Sequence, residues 1–228
     1  MRSGTVFEAV LFDCDGVLVD SEPITNGVLR DMLNEAGWAL TQAECEHHFI
    51  GRAVRDQRAL IEHHTGRPLT EAWMRAFYAR RDERLRAELQ PVPGALRAVV
   101  AAHGHAGGRI ACASGADKAK VVMQIGMAGM APYFGDRIFS GHDLPRSKPH
   151  PDVYLAAAAH LGVAPSRCLV IEDTATGAQA GLAAGATVWG YCPGGHGRAF
   201  ASLDVARVFR DMGEIAAALA AGAGLSAP

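Results

Sequence analysis

The sequence predicts an α/β protein, a doubly wound, Rossmann-like parallel sheet that carries an inserted all-helical segment. Three observations predict it. After residue 91, short apolar runs alternate with helical stretches and end in polar loops. Between the first apolar run and Pro91 the patterns are helical, with no convincing strand. Gln90-Pro91-Val92-Pro93-Gly94 then breaks the pattern and marks one side of a hinge. The expected division is an α/β core of residues 1–16 and 92–228 and a helical cap of residues 17–91. A chain of 228 residues accommodates one large domain with an insertion.

The elements follow in order. Phe7 to Phe12 is short, apolar and β-prone, and it runs into Asp13-Cys14-Asp15-Gly16. Helices are expected over about 22–36, 41–49, 52–65 and 70–89. Thr41 with Glu44 three residues later forms a capping box, and Thr70 with Trp73 repeats the start without the acidic partner. The core continues with a helix near 94–103, a strand at Arg109–Ala113 and a helix near 117–126. A strand at Arg137–Ser140 and a helix near 151–161 follow, then the buried strand CLVI at 168–171. A helix from Thr174 to Ala184, a strand at Thr187–Gly190, a short strand near Val208 and a helix from about 212 complete it.

Hydrophobic residues make up 49% of the chain, enough for a packed core. Lys+Arg number 22 and Asp+Glu 24, a net charge of -2, which gives no electrostatic reason to expect nucleic acid or an anionic membrane. The five cysteines form no CxxC pair and suit a reducing compartment. Acidic residues precede any signal-length apolar stretch, and no apolar run approaches the roughly 18 residues that span a bilayer. A cytoplasmic protein, monomeric or weakly dimeric, is the expectation.

Four signals carry chemistry. Asp13 and Asp15, two apart on an extended chain, project together from the end of the first strand, the edge where open α/β sheets bind ligands. Paired carboxylates repel unless a cation or a shared proton compensates, and a hard cation such as Mg²⁺ does so. Read alone, the DxDG run suits a solvated acidic turn equally well. Glu172-Asp173 ends another buried strand at the same expected edge. Their alternative is an acidic pair favoured by a helix N-terminus. Ser114-Gly115 follows a third strand, where a hydroxyl and backbone N–H groups can cradle an anion or simply cap a helix. Lys148 sits in a loop with prolines on both sides, which suits a cation held in place, or it is one more exposed lysine. Four matching signals at successive strand ends make coincidence a poor account.

This order of Asp13-x-Asp15-Gly16, Ser114, Lys148 and Glu172-Asp173 resembles the four motifs of the haloacid-dehalogenase superfamily. The phrases FDCDGVLVDSEP, SKPHPDVY and IEDTATGAQAGLAAG are similar to the helical-cap subfamily that includes β-phosphoglucomutase and many sugar-phosphate phosphatases. Within it, DCDG and YFGDRIFSGHDLPRSKP look most like the 6-phosphogluconate phosphatase-type members. The resemblance implies an Mg²⁺-dependent phosphatase for a small phosphorylated metabolite, a sugar or sugar-acid phosphate. It implies Asp13 as nucleophile and Asp15 as acid and base. Ser114, Gly115 and Lys148 would bind the phosphoryl oxygens. Asp13, the backbone carbonyl of Asp15, and Asp173 would hold the metal, with Glu172 close by. Dehalogenase relatives lack the second acid, and mutase relatives usually carry His where this chain has Thr25. A β-phosphoglucomutase-like mutase and a catalytically weak metabolite sensor are the alternatives.

Other features carry less. The histidine pairs His47-His48, His63-His64 and His103-x-His105 read as exposed side chains, and Gly194-Gly195-His196-Gly197 as a surface loop. Trp38 and Trp73 read as cap core. Gly51, Arg52 and Arg55 are the cap residues expected near substrate; of the cap arginines Arg52, Arg55, Arg80 and Arg81, most are expected to be solvated and one to meet a second anionic group on the substrate, with none singled out.

Overall fold

The computed structural model describes residues 7–50, 52–195 and 197–223. Gly51 and His196 lie outside these residues, so the expectations placed on them stay as expectations. The chain forms two compact units, Met1–Val19 with Pro91–Pro228, and Asp20–Gln90. The first crossing falls after Val19 rather than after Gly16. Val17, Leu18 and Val19 are fully buried, Val19 forms an isolated antiparallel bridge with Pro91, and Val92 N–H donates to Leu18 O at 3.0 Å.

In chain order, strand β1 (Ala9–Phe12) is followed by helices α1 (Glu22–Glu35), α2 (Gln42–Phe49), α3 (Arg58–Thr65) and α4 (Glu71–Glu88). Helix α5 (Ala95–His105), β2 (Ile110–Ser114), α6 (Lys118–Met127), the single turn α7 (Ala131–Phe134) and β3 (Ile138–Ser140) come next. Helix α8 (Asp152–His160), β4 (Cys168–Glu172), α9 (Ala175–Ala183), β5 (Thr187–Tyr191), β6 (Arg207–Phe209) and α10 (Met212–Ala223) end the described chain.

The first unit is a six-stranded sheet in the order β3-β2-β1-β4-β5-β6, with every neighbouring pair parallel. It is the α/β, Rossmann-like fold that the alternation predicts. Strand β1 is central, with Val10 opposite both Ile110 and Leu169. All its residues are buried, because helices cover both faces of a parallel sheet and demand a continuous apolar run. On one face Leu11, Ala113, Val170 and Val188 pack with Val153 and Ala157 of α8 and Ala178 of α9. Fully burying a side chain such as Leu11 stabilises by roughly 1.5–3 kcal/mol.

The second unit is all-helical. In α1 the buried Val28, Leu29, Met32 and Leu33 form one stripe at helical spacing, packed with Phe49, Ile61, Met74 and Phe77. The capping box at Thr41 is complete, with Thr41 Oγ1 accepting from Glu44 N at 3.3 Å and Glu44 Oε2 accepting from Thr41 N at 2.8 Å. Thr70 also caps its helix, accepting from Trp73 N at 3.1 Å. The helix expected over 52–65 is shorter. Ala53 is extended, residues Val54–Gln57 form a 3₁₀ turn, and α3 starts only at Arg58. Helix α7 has no counterpart among the expected elements, since four residues with Pro132 near the start carry no periodic signal. Among the described residues no helix is long and apolar enough to cross a membrane.

Candidate functional site

The ends of β1, β2 and β4 and the loop before α8 bring the predicted site residues of the first unit to the C-terminal edge of its sheet. Asp13 N–H donates to Ile171 O at 3.0 Å, which extends the ladder one residue beyond β1 and pins Asp13 beside β4. The loop then turns at once, with Leu18 N–H on Cys14 O at 2.8 Å and Gly16 at φ +80°. Gly16 is required twice over. That φ belongs to glycine, and a Cβ there would stand 2.0 Å from Asp173 Oδ2.

Lys148 is the centre of charge. Its Nζ donates to Asp13 Oδ1 at 2.5 Å and to Glu172 Oε1 at 2.7 Å. Tyr154 OH donates to the same Glu172 oxygen at 2.8 Å, and the ammonium lies 4.9 Å from the Tyr154 ring centre. The other Glu172 oxygen accepts from Asp173 N, Thr174 N and Thr174 Oγ1 at 3.1–3.2 Å. Glu172 therefore works as a fully buried brace for Lys148 and for the start of α9. Thr174 Oγ1 caps that helix by accepting from Gly177 N at 3.1 Å.

Burial pushes the Asp13 carboxyl up to about 7, against the opposing pull of Lys148 and with further help from Glu172 and Asp15. Burial works against the charge on Lys148, but Asp13 and Glu172 outweigh it and hold the ammonium well above its usual range. Burial and Glu172 likewise keep the Tyr154 phenol protonated as a donor.

Asp15 faces a different set of groups. Its Oδ1 accepts from Lys120 Nζ at 2.7 Å and Gln124 Nε2 at 2.9 Å, both on α6. The sequence reading missed these two residues. Their spacing of four on a helix was the available signal, and it looks like that of any buried helix face. Ser114 is buried, and its Oγ accepts from Ala116 N at 3.0 Å in a local turn. It is not the helix cap weighed as its alternative, because Asp117 fills that role by accepting from Lys120 N at 2.9 Å. Gly115 follows Ser114, and a Cβ there would meet Ser147 Oγ at 3.7 Å, an ordinary contact.

Carboxylate oxygens of Asp13, Glu172 and Asp173 all lie within 4.8 Å of one another, the one such metal-capable group among the described residues. An all-oxygen, acidic set suits a hard divalent cation. The glycine at 16, where a side chain would displace the Asp173 carboxylate, fits the same purpose. The Asp15 carboxylate is absent from this group, so a ligand from Asp15 fits its backbone carbonyl rather than its side chain.

In the second unit Arg52 is exposed. Arg55 pairs with Glu71, Nη2 to Oε2 at 3.1 Å, and Arg80 pairs with Glu35 at 2.7 Å. Arg81 is the cap arginine that is not solvated. It is buried, paired with Asp82 at 2.7 Å and stacked 4.8 Å over Tyr78. Trp38 is in the helical core, stacked at 4.1 Å on His64, and Trp73 packs against that core.

Glu172 has its room because residue 177 is glycine. A Cβ at 177 would fall 1.7 Å from Glu172 Oε1. Gly177→Ala should therefore lose about 1–3 kcal/mol to overpacking, despite the better helix propensity of alanine. Thermal melting checks it, and a variant that melts at or above the wild-type temperature would contradict the crowding.

A family model described as haloacid dehalogenase-like hydrolase matches residues 7–185, and the chain belongs to that family. Among curated relatives, 6-phosphogluconate phosphatase of Escherichia coli (strain K12) is 32% identical over 195 residues, 84% of this chain and 85% of that one. A phosphoglycolate phosphatase of Nitrosococcus oceani is 29% identical over 185 residues, 78% of this chain and 80% of that one. A solved haloacid-dehalogenase family hydrolase from Deinococcus radiodurans R1, with bound phosphate and sodium, superposes with a TM-score of 0.78 at 35% identity. The match covers 98% of this chain and 99% of that one. The chain is thus a hydrolase of this family, and its named relatives support phosphatase activity.

Proposed function

We propose that this enzyme hydrolyses a small sugar or sugar-acid phosphate through an aspartyl-phosphate on Asp13. The observation that carries the reading is Lys148 braced between Asp13 and Glu172, a cation whose side chain is 8% exposed, fixed beside a buried carboxylate at a strand end. A phosphoryl group brought there meets a nucleophile and a positive charge held in position, which is most of what phosphoryl transfer asks of a protein.

In the first step an Asp13 oxygen attacks phosphorus, and the ester oxygen leaves with a proton from Asp15. In the second, water attacks the acyl phosphate, Asp15 takes its proton, and inorganic phosphate departs with Asp13 regenerated. Lys148, Ser114 and the backbone N–H groups after Ser114 hold the phosphoryl oxygens. Asp13, the Asp15 carbonyl and Asp173 would hold Mg²⁺, which when bound would supply charge compensation for the clustered carboxylates and the phosphoryl group. The relatives named for 6-phosphogluconate and phosphoglycolate support a small, acid-bearing substrate. One of the cap arginines Arg52, Arg55, Arg80 and Arg81 is the candidate partner for its second anionic group.

The test is a panel of phosphorylated sugars and sugar acids read by phosphate release. Thr25, on α1, has no titrating nitrogen with which to gate Asp15 on sugar binding, so free phosphate is the expected product of every good substrate. Incubation with β-glucose 1-phosphate and a trace of its 1,6-bisphosphate is the sharpest arm. Glucose 6-phosphate accumulating well ahead of phosphate would replace the phosphatase with a mutase.

A further inference from the structure

Asp15 is tethered to a helix far away in sequence. Lys120 and Gln124 occupy one face of α6, four residues apart, and both reach the same oxygen, Asp15 Oδ1, at 2.7 and 2.9 Å. Lys120 is 6% exposed and Gln124 0%, unusual burial for such polar side chains on a helix. The Gln124 amide is itself oriented. Its Oε1 lies 3.6 Å from Cys14 Sγ, so the thiol donates to the oxygen and the amide turns its N–H₂ to Asp15. The base of α6 is fixed by the Asp117 cap at the Lys120 amide. Two donors from a rigid helix thus determine where one oxygen of the second carboxylate sits, and thereby the direction of the other.

We infer that Lys120 and Gln124 are positioning residues for Asp15, setting the carboxylate that exchanges a proton with the leaving oxygen. The inference rests on the acid–base role proposed for Asp15. Neutralising a half-buried carboxylate is the competing account of Lys120, and it predicts a different pattern of loss. Proton donation matters most when the leaving group is a poor one. A displaced acid therefore slows poor leaving groups selectively, whereas general damage to the fold slows all substrates alike.

The experiment compares kcat/KM for phenyl phosphate, 4-nitrophenyl phosphate and 2,4-dinitrophenyl phosphate, since this ratio reports the steps through leaving-group departure. Lys120→Met and Gln124→Met should lose roughly tenfold or more on phenyl phosphate and less than about threefold on the dinitrophenyl ester, a fraction of the 10²–10⁴ that general acid catalysis supplies. Asp15→Ala should show the same selectivity, more strongly. If Asp15→Ala loses equally across the series, the acid role falls and this inference with it. If Asp15→Ala is selective while both methionine variants lose uniformly or not at all, only the positioning role is overturned. Should Lys120→Met fail to fold, Gln124→Met, which leaves the charge balance intact, decides the matter.

Discussion

Asp13→Asn should lower phosphate release by several orders of magnitude while the protein stays folded. Asparagine keeps the shape of the side chain and removes the attacking charge, so the covalent route closes and no neighbouring group replaces it. Each tenfold loss corresponds to about 1.4 kcal/mol of barrier. A variant retaining more than about a tenth of the wild-type rate would show that attack by Asp13 is not the mechanism. The same substitution makes a second, opposite prediction about stability. Burial raises the Asp13 carboxyl from 3.8 to about 7. Between those values the folded chain holds a proton that the unfolded chain has released. Stability from this group is therefore full below 3.8 and declines as pH rises toward about 7. Asparagine has no proton to lose. Compared without added metal, Asp13→Asn should melt above the wild type at about pH 8, and the gap should shrink toward about pH 5. A variant that melts lower at the alkaline end would mean that the pairing with Lys148 outweighs the burial of the charge.

Metal removal should have the next largest effect. Chelation with EDTA should abolish activity and Mg²⁺ should restore it, because Asp13, Glu172 and Asp173 gather three carboxylates within 4.8 Å and Lys148, which contacts Asp13 and Glu172, supplies one positive charge against them. Asp173→Ala should raise the Mg²⁺ concentration needed for half-maximal rate by roughly tenfold or more. Full turnover in rigorously metal-free protein would defeat the assignment. Unchanged Mg²⁺ dependence in Asp173→Ala would move the ligand role elsewhere.

Much of this arrangement could be read from residues alone, for a physical reason. A strand buried on both faces must be a continuous apolar run, so Ala9–Phe12 and Cys168–Glu172 announce themselves, and the polar residues after them stand out. What sequence conceals is any partnership between distant side chains. The division of labour between Glu172 and Asp173 is one case, since adjacent acids look interchangeable until one proves to be bonded to Lys148 and Tyr154. Lys120 and Gln124 are another, because their spacing fits a helix surface and only the folded sheet brings Asp15 to them. Arg81 is a third case. Four cap arginines look alike in sequence, and only the fold shows that Asp82 and the Tyr78 ring give this one a buried place.

The strand order has a consequence for how the chain acquires activity during synthesis. Strand β1 leaves the ribosome well before its hydrogen-bonding neighbours, which are β2, beginning at Ile110, and β4, beginning at Cys168. The helical unit of Asp20–Gln90 is contiguous and rich in local contacts, so it has the means to fold while the rest is still being made. Strand β1 must meanwhile wait as an unpaired apolar segment. At roughly 5–20 residues per second, that wait lasts on the order of ten seconds or more, a window in which β1 is exposed to wrong partners. The proposed nucleophile Asp13 therefore gains its neighbours Lys148 and Glu172 only when the chain has passed β4.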